Sequence, residues 1–171
     1  MIIDCLSKAI FLFVIYNIIA LILFGVPKSL SMTYYLYEER QKILKILFPS
    51  MIFLLCVFLI PCWLEISNGS TFQFTAFLSA GSLLFVGMTP AFKESNMYNT
   101  IHDIAAFACA LFAILWIILV PKLWYIILIV GIIIALIAIL TKTYKTSYIY
   151  WLEMIAFIST FVSIIVYYII K

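Results

Sequence analysis

The chain has 171 residues, of which 68% are hydrophobic and only 10% are charged, with a formal net charge of +3. A soluble domain usually carries about 25% charged residues, so this composition excludes a water-exposed globular surface. The small net charge also gives no indication of a nucleic-acid partner. The sequence therefore predicts an integral membrane protein made of a single transmembrane domain, residues 1–171.

Six apolar stretches follow one another along the chain, and a membrane-spanning helix needs about 20 mainly apolar residues. Each stretch is continuously apolar rather than alternating, which favours helices over the strands of a membrane barrel. The predicted fold is an all-α polytopic membrane protein, a bundle of six transmembrane helices. The predicted spans are residues 9–26, 46–64, 72–88, 104–120, 123–140 and 148–170.

Local sequence signals separate the spans. Gly25 and Pro27 end the first span, because glycine favours a helix C-terminus and proline cannot continue a helix. Asn-Gly-Ser at 68–70 predicts a turn between the second and third spans. Pro121 and Lys122 are the only break between the fourth and fifth apolar runs, so these two helices are predicted to form a tight hairpin.

The longest connection, residues 27–45, has two interpretations. It either forms a short interfacial helix that leads into the second span, or it is a solvated loop that carries positive charge. The helical interpretation places four apolar side chains on roughly one face. These are Leu36, Ile43, Leu44 and Leu47.

The lysine and arginine residues divide unequally between the two sides of six spans. The side predicted to be cytoplasmic carries Lys28, Arg40, Lys42, Lys45, Lys93, Lys142 and Lys145, and the other carries Lys8, Lys122 and Lys171. The positive-inside rule therefore predicts a multi-pass protein of the cytoplasmic (plasma) membrane with both termini outside. Trp63, Trp116 and Trp124 lie near predicted outer helix ends, where an aromatic belt is expected.

Polar residues follow the first and third predicted spans and open the fourth, all on the predicted cytoplasmic face. Hydroxyl groups, an imidazole and a lysine at headgroup depth suit an anionic lipid headgroup or another polar ligand. The candidate ligand-binding residues are Ser31, Tyr34, Tyr35, Lys93, His102 and Asp103.

Five of these six residues also have a simpler interpretation. Thr100 and Asp103 fit a capping box at the start of the fourth span, where Asp103 would also complement the helix dipole. His102 is simply explained as a hydrogen-bonding residue at the membrane interface. Tyr34 and Tyr35 are simply explained as interfacial aromatic residues, and Lys93 as a charge that sets the topology.

Polar residues inside the spans form a second set of candidates, because polar groups are costly in a bilayer and often functional. Asn17 lies near the middle of the first span and needs a partner helix, and Glu153 lies about one turn into the sixth. Small residues also recur four positions apart in several spans. They indicate either close helix packing or a polar cavity lined by the third and sixth predicted helices.

Most enzyme templates fail on this sequence. It has a single histidine, and none of its four cysteines, at positions 5, 56, 62 and 109, forms a C-x-x-C pair, so neither a zinc site nor a haem held by two histidines is predicted. Phosphate-binding loops, dinucleotide fingerprints and the G-x-S-x-G motif are missing from the sequence. We therefore predict no catalytic residue, no metal site and no cofactor.

Three short motifs carry a resemblance to a known group. They are SLSMTYY at 29–35, FVGMTPAF at 85–92 and IHDIAAF at 101–107. With the six-helix layout, they make nearly the whole chain resemble the Frag1/DRAM/Sfk1-type membrane proteins and their uncharacterised bacterial relatives. The resemblance implies a lipid-linked or membrane-homeostasis role rather than one established reaction. It marks the positions Ser31, Tyr34, Gly87, Pro90 and His102.

The functional expectation is a non-enzymatic protein that binds a lipid or a partner through its cytoplasmic face. The candidate partners are membrane lipids, a second copy of the chain or another membrane protein. The alternative is a membrane enzyme or small-solute transporter that uses a polar cavity near His102.

Cysteine labelling tests the predicted orientation. In a variant without native cysteines, Thr143→Cys lies in a loop predicted to be cytoplasmic, so a membrane-impermeant maleimide should not label it in intact cells. It should react after permeabilisation, whereas Asn68→Cys, in the predicted outer turn, should react in both conditions. Labelling of residue 143 from outside would reverse the orientation.

Overall fold

The computed structural model describes residues 2–88 and 96–170, with side chains in the second range from Thr100 onward. Within these ranges every regular element is helical, which confirms the all-α prediction. The elements are α1 (Ile2–Phe24), α2 (Thr33–Arg40), a 3-10 helix (Lys42–Ile46), α3 (Leu47–Ile66), α4 (Phe74–Met88), α5 (Asn96–Leu119), α6 (Trp124–Leu140) and α7 (Tyr148–Ile170).

Among the residues that the structure describes, four helical segments are long and apolar enough to cross a membrane. They are α1, the run Lys42–Ile66 that ends in α3, the part Thr100–Leu119 of α5, and α7. The apolar helices α4 and α6 have 15 and 17 residues. At 1.5 Å per residue they measure about 22 and 26 Å, which is less than the hydrocarbon thickness of about 30 Å. Four of the six predicted spans therefore lie in helices that are long enough to cross a bilayer of ordinary thickness.

The ends of α1 show how local interactions set helix boundaries. The helix begins at Ile2, seven residues before the predicted span, and its first turns include an ion pair of 2.8 Å between Asp4 and Lys8. At the other end Gly25 adopts a φ of 69°, and its N–H donates to the carbonyl of Leu21. A left-handed residue at this position closes the helix, as the sequence predicts.

The two predicted reversals of the chain are confirmed. Gly69 has a φ of 78° in the turn that follows α3. Lys122 has a φ of 58° in the hairpin between α5 and α6, where the N–H of Leu123 donates to the carbonyl of Ile117. The hairpin is four residues long, so α5 and α6 are neighbours in sequence and antiparallel in space.

The connection after α1 is helical, but its buried face differs from the predicted apolar face. Thr33, Tyr34 and Tyr37 are buried, whereas Ile43 is 70% exposed. The reason is an extended residue, Gln41, that separates α2 from the 3-10 helix. The predicted apolar face assumed one continuous helix, so it does not form in the structure.

Five helices enclose a common interior, and α6 packs on the outside of α7. Neighbouring pairs are α1 with α3, α3 with α4, α4 with α5, and α5 with α7. Side chains complete the ring between α7 and α1, where the rings of Phe13 and Phe157 lie 4.7 Å apart. Side chains from α3, α4, α5 and α7 line a cavity in the interior of this ring, which is described below.

Gly87 allows the end of α4 to approach α3 closely. A Cβ atom on this glycine would lie 2.8 Å from Cγ2 and 3.0 Å from Cβ of Ile52. Ile52 is fully buried, and its β-branched side chain has little rotational freedom. A side chain at position 87 would therefore push the two helices apart.

Substitution of this glycine should destabilise the bundle. We expect Gly87→Ala to cost about 1–3 kcal/mol of unfolding free energy, as overpacking of a core usually does. Gly81→Ala on the same helix is the matched control, because a Cβ there meets nothing within 4 Å. It should be neutral or stabilise by up to about 1 kcal/mol. Thermal unfolding in detergent measures both, and equal effects would contradict the close approach.

Candidate functional site

The linker between α1 and α2, residues 25–32, lies across the start of α7. The N–H of Tyr150 donates to the carbonyl of Lys28 at 3.1 Å. One turn earlier, the hydroxyl of Ser147 donates to the carbonyl of Val26 at 3.3 Å. These contacts join segments that are more than 100 residues apart in sequence, and they fix the backbone of the linker against α7.

Glu153 makes a third contact with this linker. Its Oε2 accepts a hydrogen bond of 2.6 Å from the N–H of Leu30. Its other carboxyl oxygen has no hydrogen-bond partner among the described residues. The ion pairs of the described chain join Lys8 to Asp4 and Lys45 to Glu38, so neither supplies a cation to Glu153.

Glu153 lines a cavity in the interior of the helix ring. The cavity volume, measured as space open to the centres of water-sized molecules, is about 50 Å³. One water molecule needs roughly 10–15 Å³ on this measure, so the cavity holds more than a single water. Its wall consists of Leu30, Ser31, Phe48, Ile52, Leu59, Trp63, Ser79, Leu83, Val86, Ala106, Cys109, Ala110, Ala113, Glu153, Ala156, Phe157 and Thr160.

The cavity is elongated along the helix axes. On each of three helices, the first and last lining residues are seven positions apart: 79 and 86 on α4, 106 and 113 on α5, and 153 and 160 on α7. This separation corresponds to about 10 Å, and the wall on α3, 48–63, extends over about 22 Å. One leaflet of the bilayer core is about 15 Å deep, half of the total, so the lining residues extend over a depth comparable to that of one leaflet.

The two ends of the cavity differ in chemistry. Ser31 and Glu153 lie at the end next to the linker, and the wall beyond them is mainly apolar. Trp63 lies towards the far end, is 3% exposed, and its indole N–H has no hydrogen-bond partner in the described part of the chain. Its ring contacts Trp116, whose own N–H donates to the hydroxyl of Ser67 at 2.8 Å. Trp63 and Trp116 therefore belong to the interior and not to an exposed aromatic belt.

Small residues form much of the wall on α5 and α7. Ala106, Ala110 and Ala113 come from α5, and Ala156 and Thr160 come from α7. The sequence left close packing and a cavity open as explanations of these residues. In the structure, these five side chains border the cavity, and α4 and α7 both contribute to its wall.

Asn17 bridges α1 and α7 close to the linker. The hydroxyl of Tyr150 donates to Asn17 Oδ1 at 3.1 Å, and Asn17 Nδ2 donates to the carbonyl of Phe13. This mid-helix amide thus has the partner helix that its burial requires. It holds α7 in place and does not line the cavity.

Among the described candidate ligand-binding residues, Ser31 alone lines the cavity. Tyr34 is buried on α2 with the Lys45 ammonium 6.0 Å from its ring centre, and Tyr35 packs edge-on against Tyr34. Burial raises the pKa of the Tyr35 hydroxyl, which therefore stays protonated at neutral pH. These tyrosines support the linker from outside the cavity.

The remaining candidates lie elsewhere. Asp103 is exposed on α5, and His102 is partly buried one residue before it, and neither lines the cavity. Lys93 and Pro90 fall outside the described residues. The capping-box interpretation is wrong, because α5 already begins at Asn96 and both Thr100 and Asp103 lie beyond its first turn.

Glu153 and Trp63 are the features that the sequence did not connect. The sequence analysis named Glu153 as a candidate but predicted no partner for it. Its only predicted relation to Ser31 was that both residues lie on the same side of the membrane. Trp63 gave no signal of its interior position. Among the described residues, no group of three or more histidine, cysteine, aspartate or glutamate side chains is placed to hold a metal ion.

Comparison with known proteins adds no relative: the chain matches no protein-family model, no curated protein and no solved structure. The resemblance to the Frag1/DRAM/Sfk1-type group therefore stays a prediction.

Substitution of Glu153 should release the linker. In Glu153→Leu the N–H of Leu30 loses its acceptor, and we expect its hydrogen exchange to accelerate by about tenfold, which corresponds to 1.4 kcal/mol and to the value of one good hydrogen bond. Glu153→Gln is the control, because the amide oxygen still accepts this bond. Hydrogen-exchange mass spectrometry of the linker peptide measures both. Unchanged protection in Glu153→Leu would show that the other two contacts hold the linker alone.

Proposed function

We propose that this protein is a six-span, non-enzymatic membrane protein that binds a lipid by taking one hydrocarbon chain into its central cavity. The observation that carries the proposal is the shape and chemistry of the cavity. It is narrow, about as long as a leaflet is deep, mainly apolar along its length, and polar at one end near a helix terminus. An amphiphile has the same division into an apolar chain and a polar end.

The narrowness of the cavity favours a single chain. Pockets for small molecules are mostly apolar, with a few polar groups that fix orientation, and Ser31 and Glu153 fit that role here. A chain in the cavity would contact Phe48, Leu83 and Phe157 on three different elements, and it would fill space that is otherwise empty. Filling an apolar void restores the dispersion contacts that its wall lacks.

The packing of α4 and α6 supports six spans. On α4, the carbonyl of Ala80 lies 3.9 Å from the thiol of Cys56 on α3, and the hydroxyl of Ser79 donates to the carbonyl of Cys109 on α5. α4 is thus held between two longer helices at mid-depth, and α6 packs along α7. A bilayer adjusts to a short helix by local thinning at a modest cost. Six spans put both termini on one side, and the lysine and arginine distribution favours the outside of a plasma membrane.

Binding accounts for the cavity better than turnover does. The hydroxyl of Ser79 on its wall is engaged with a backbone carbonyl, and no histidine lies on the wall to activate a nucleophile. The alternative of an enzyme or small-solute transporter places its polar cavity near His102. This cavity has its polar end at Glu153 instead, so the observations that carry the proposal lend no support to that alternative.

A filled cavity tests the proposal. Ala110→Phe places a phenyl ring on the cavity wall, so the purified protein should lose its bound lipid. Ala108→Phe, on the opposite side of α5 and outside the wall, adds the same ring to the same helix and should leave the bound lipid unchanged.

Native mass spectrometry of the protein released from a mild detergent gives the measurement, with lipid identified after dissociation. Both variants must first show the thermal stability of the parent within a few degrees, because overpacking alone can lower the free energy of unfolding by about 1–3 kcal/mol. Equal lipid retention by the two variants would reject the cavity as the binding site.

A further inference from the structure

We infer that the occupant of the cavity is a single-chain lipid whose chain ends in an ammonium group, and that this group binds the carboxylate of Glu153. The inference rests on the proposed function and names the class of headgroup. Three observations on different residues lead to it, and each concerns the end of the cavity next to the linker.

The first observation is the state of the Glu153 carboxyl group. One oxygen accepts the N–H of Leu30 at 2.6 Å, and the other has no hydrogen-bond partner in the part of the chain that the structure describes. Glu153 is half-buried, and a carboxylate in apolar surroundings is unfavourable unless it is paired and hydrogen-bonded. A cation supplied by the occupant would complete the site, because its N–H groups can donate to the free oxygen.

The second observation is the absence of positive charge on the wall. No lysine, arginine or histidine side chain is among the cavity-lining residues of the described chain. A phosphate group at this end would face the Glu153 carboxylate, and no basic side chain of the described wall would offset the repulsion. The wall therefore favours an ammonium joined directly to the chain region over a phospholipid headgroup.

The third observation is the position of the carboxyl group along the cavity. Glu153 is the sixth residue of α7, so it lies about 8 Å from the start of the helix. This depth is near the interface, where the polar end of an amphiphile is found. The apolar wall then continues from Phe157 towards Leu59 and Trp63, in the direction that a hydrocarbon chain would take.

Binding of defined probes tests the inference. The protein is placed in phosphatidylcholine nanodiscs and titrated with dodecylamine, dodecanol and a lysophosphatidylethanolamine, and the signal from empty nanodiscs is subtracted. We expect the parent to bind dodecylamine at least about tenfold more tightly than dodecanol, a difference of about 1.4 kcal/mol. Lysophosphatidylethanolamine should bind less tightly than dodecylamine.

The variant Glu153→Gln identifies the group responsible. It keeps an acceptor for Leu30 but removes the charge, so the preference for the amine should fall to about onefold while the affinity for dodecanol changes by less than about twofold, or about 0.4 kcal/mol. Ala110→Phe should weaken the binding of both probes. The comparison of amine with alcohol on the parent protein needs no variant, so it remains decisive if Glu153→Gln does not fold.

Each other result overturns a different statement. Equal affinity of the parent for amine and alcohol would overturn the ammonium inference and leave the proposed chain-binding function intact. Binding of neither probe would overturn the proposed function itself. Tighter binding of lysophosphatidylethanolamine would assign the site to a phospholipid headgroup. An amine preference that persists in Glu153→Gln would overturn the role of Glu153.

Discussion

The hydrogen bond from the N–H of Leu30 to the carboxyl group of Glu153 joins the two ends of the fold. It fixes a linker that follows the first helix onto the start of the last helix, across 123 positions of sequence. A bilayer cannot satisfy an unpaired backbone N–H, and a buried carboxyl group equally needs a partner. The bond therefore satisfies the N–H of Leu30 and one of the two oxygens of Glu153, and it holds the linker at the end of the cavity that Leu30 and Ser31 line. The neighbouring contacts of Ser147 and Tyr150 align the linker with α7.

This arrangement explains why the interior of the ring is not fully packed. In a membrane, apolar side chains gain little by leaving lipid, so helices associate through close contacts and hydrogen bonds. Such contacts occur at Gly87 against Ile52, at Asn17 with Tyr150 and at Trp116 with Ser67. They all lie around the cavity. The helices are thus positioned by these contacts, and the alanine-rich faces of α5 and α7 leave space between them.

The sequence predicts the elements well and their mutual arrangement only in part. Continuous apolar runs locate the helices, and glycine and proline locate the reversals, because these signals depend on a few adjacent residues. The predicted first span begins at residue 9, whereas α1 extends back to Ile2 and includes the exposed ion pair of Asp4 and Lys8. The prediction of a helix cap at Thr100 and Asp103 is wrong because α5 begins earlier, at Asn96. A cluster of polar residues can lie inside a helix as well as at its end.

The site depends on contacts that no local pattern contains. Ser31 and Glu153 were each chosen for chemical reasons, but their proximity results from the docking of the linker, which involves backbone carbonyls of Val26 and Lys28. Backbone groups carry no residue-specific signal, so sequence reasoning could not pair them. Trp63 is a second residue whose position the sequence could not predict. A tryptophan near a helix end is typical of a membrane interface, but Trp63 packs against Trp116 in the interior. The cavity therefore arises from tertiary contacts that bring a carboxyl group, an apolar wall and an unpartnered indole N–H into one narrow space.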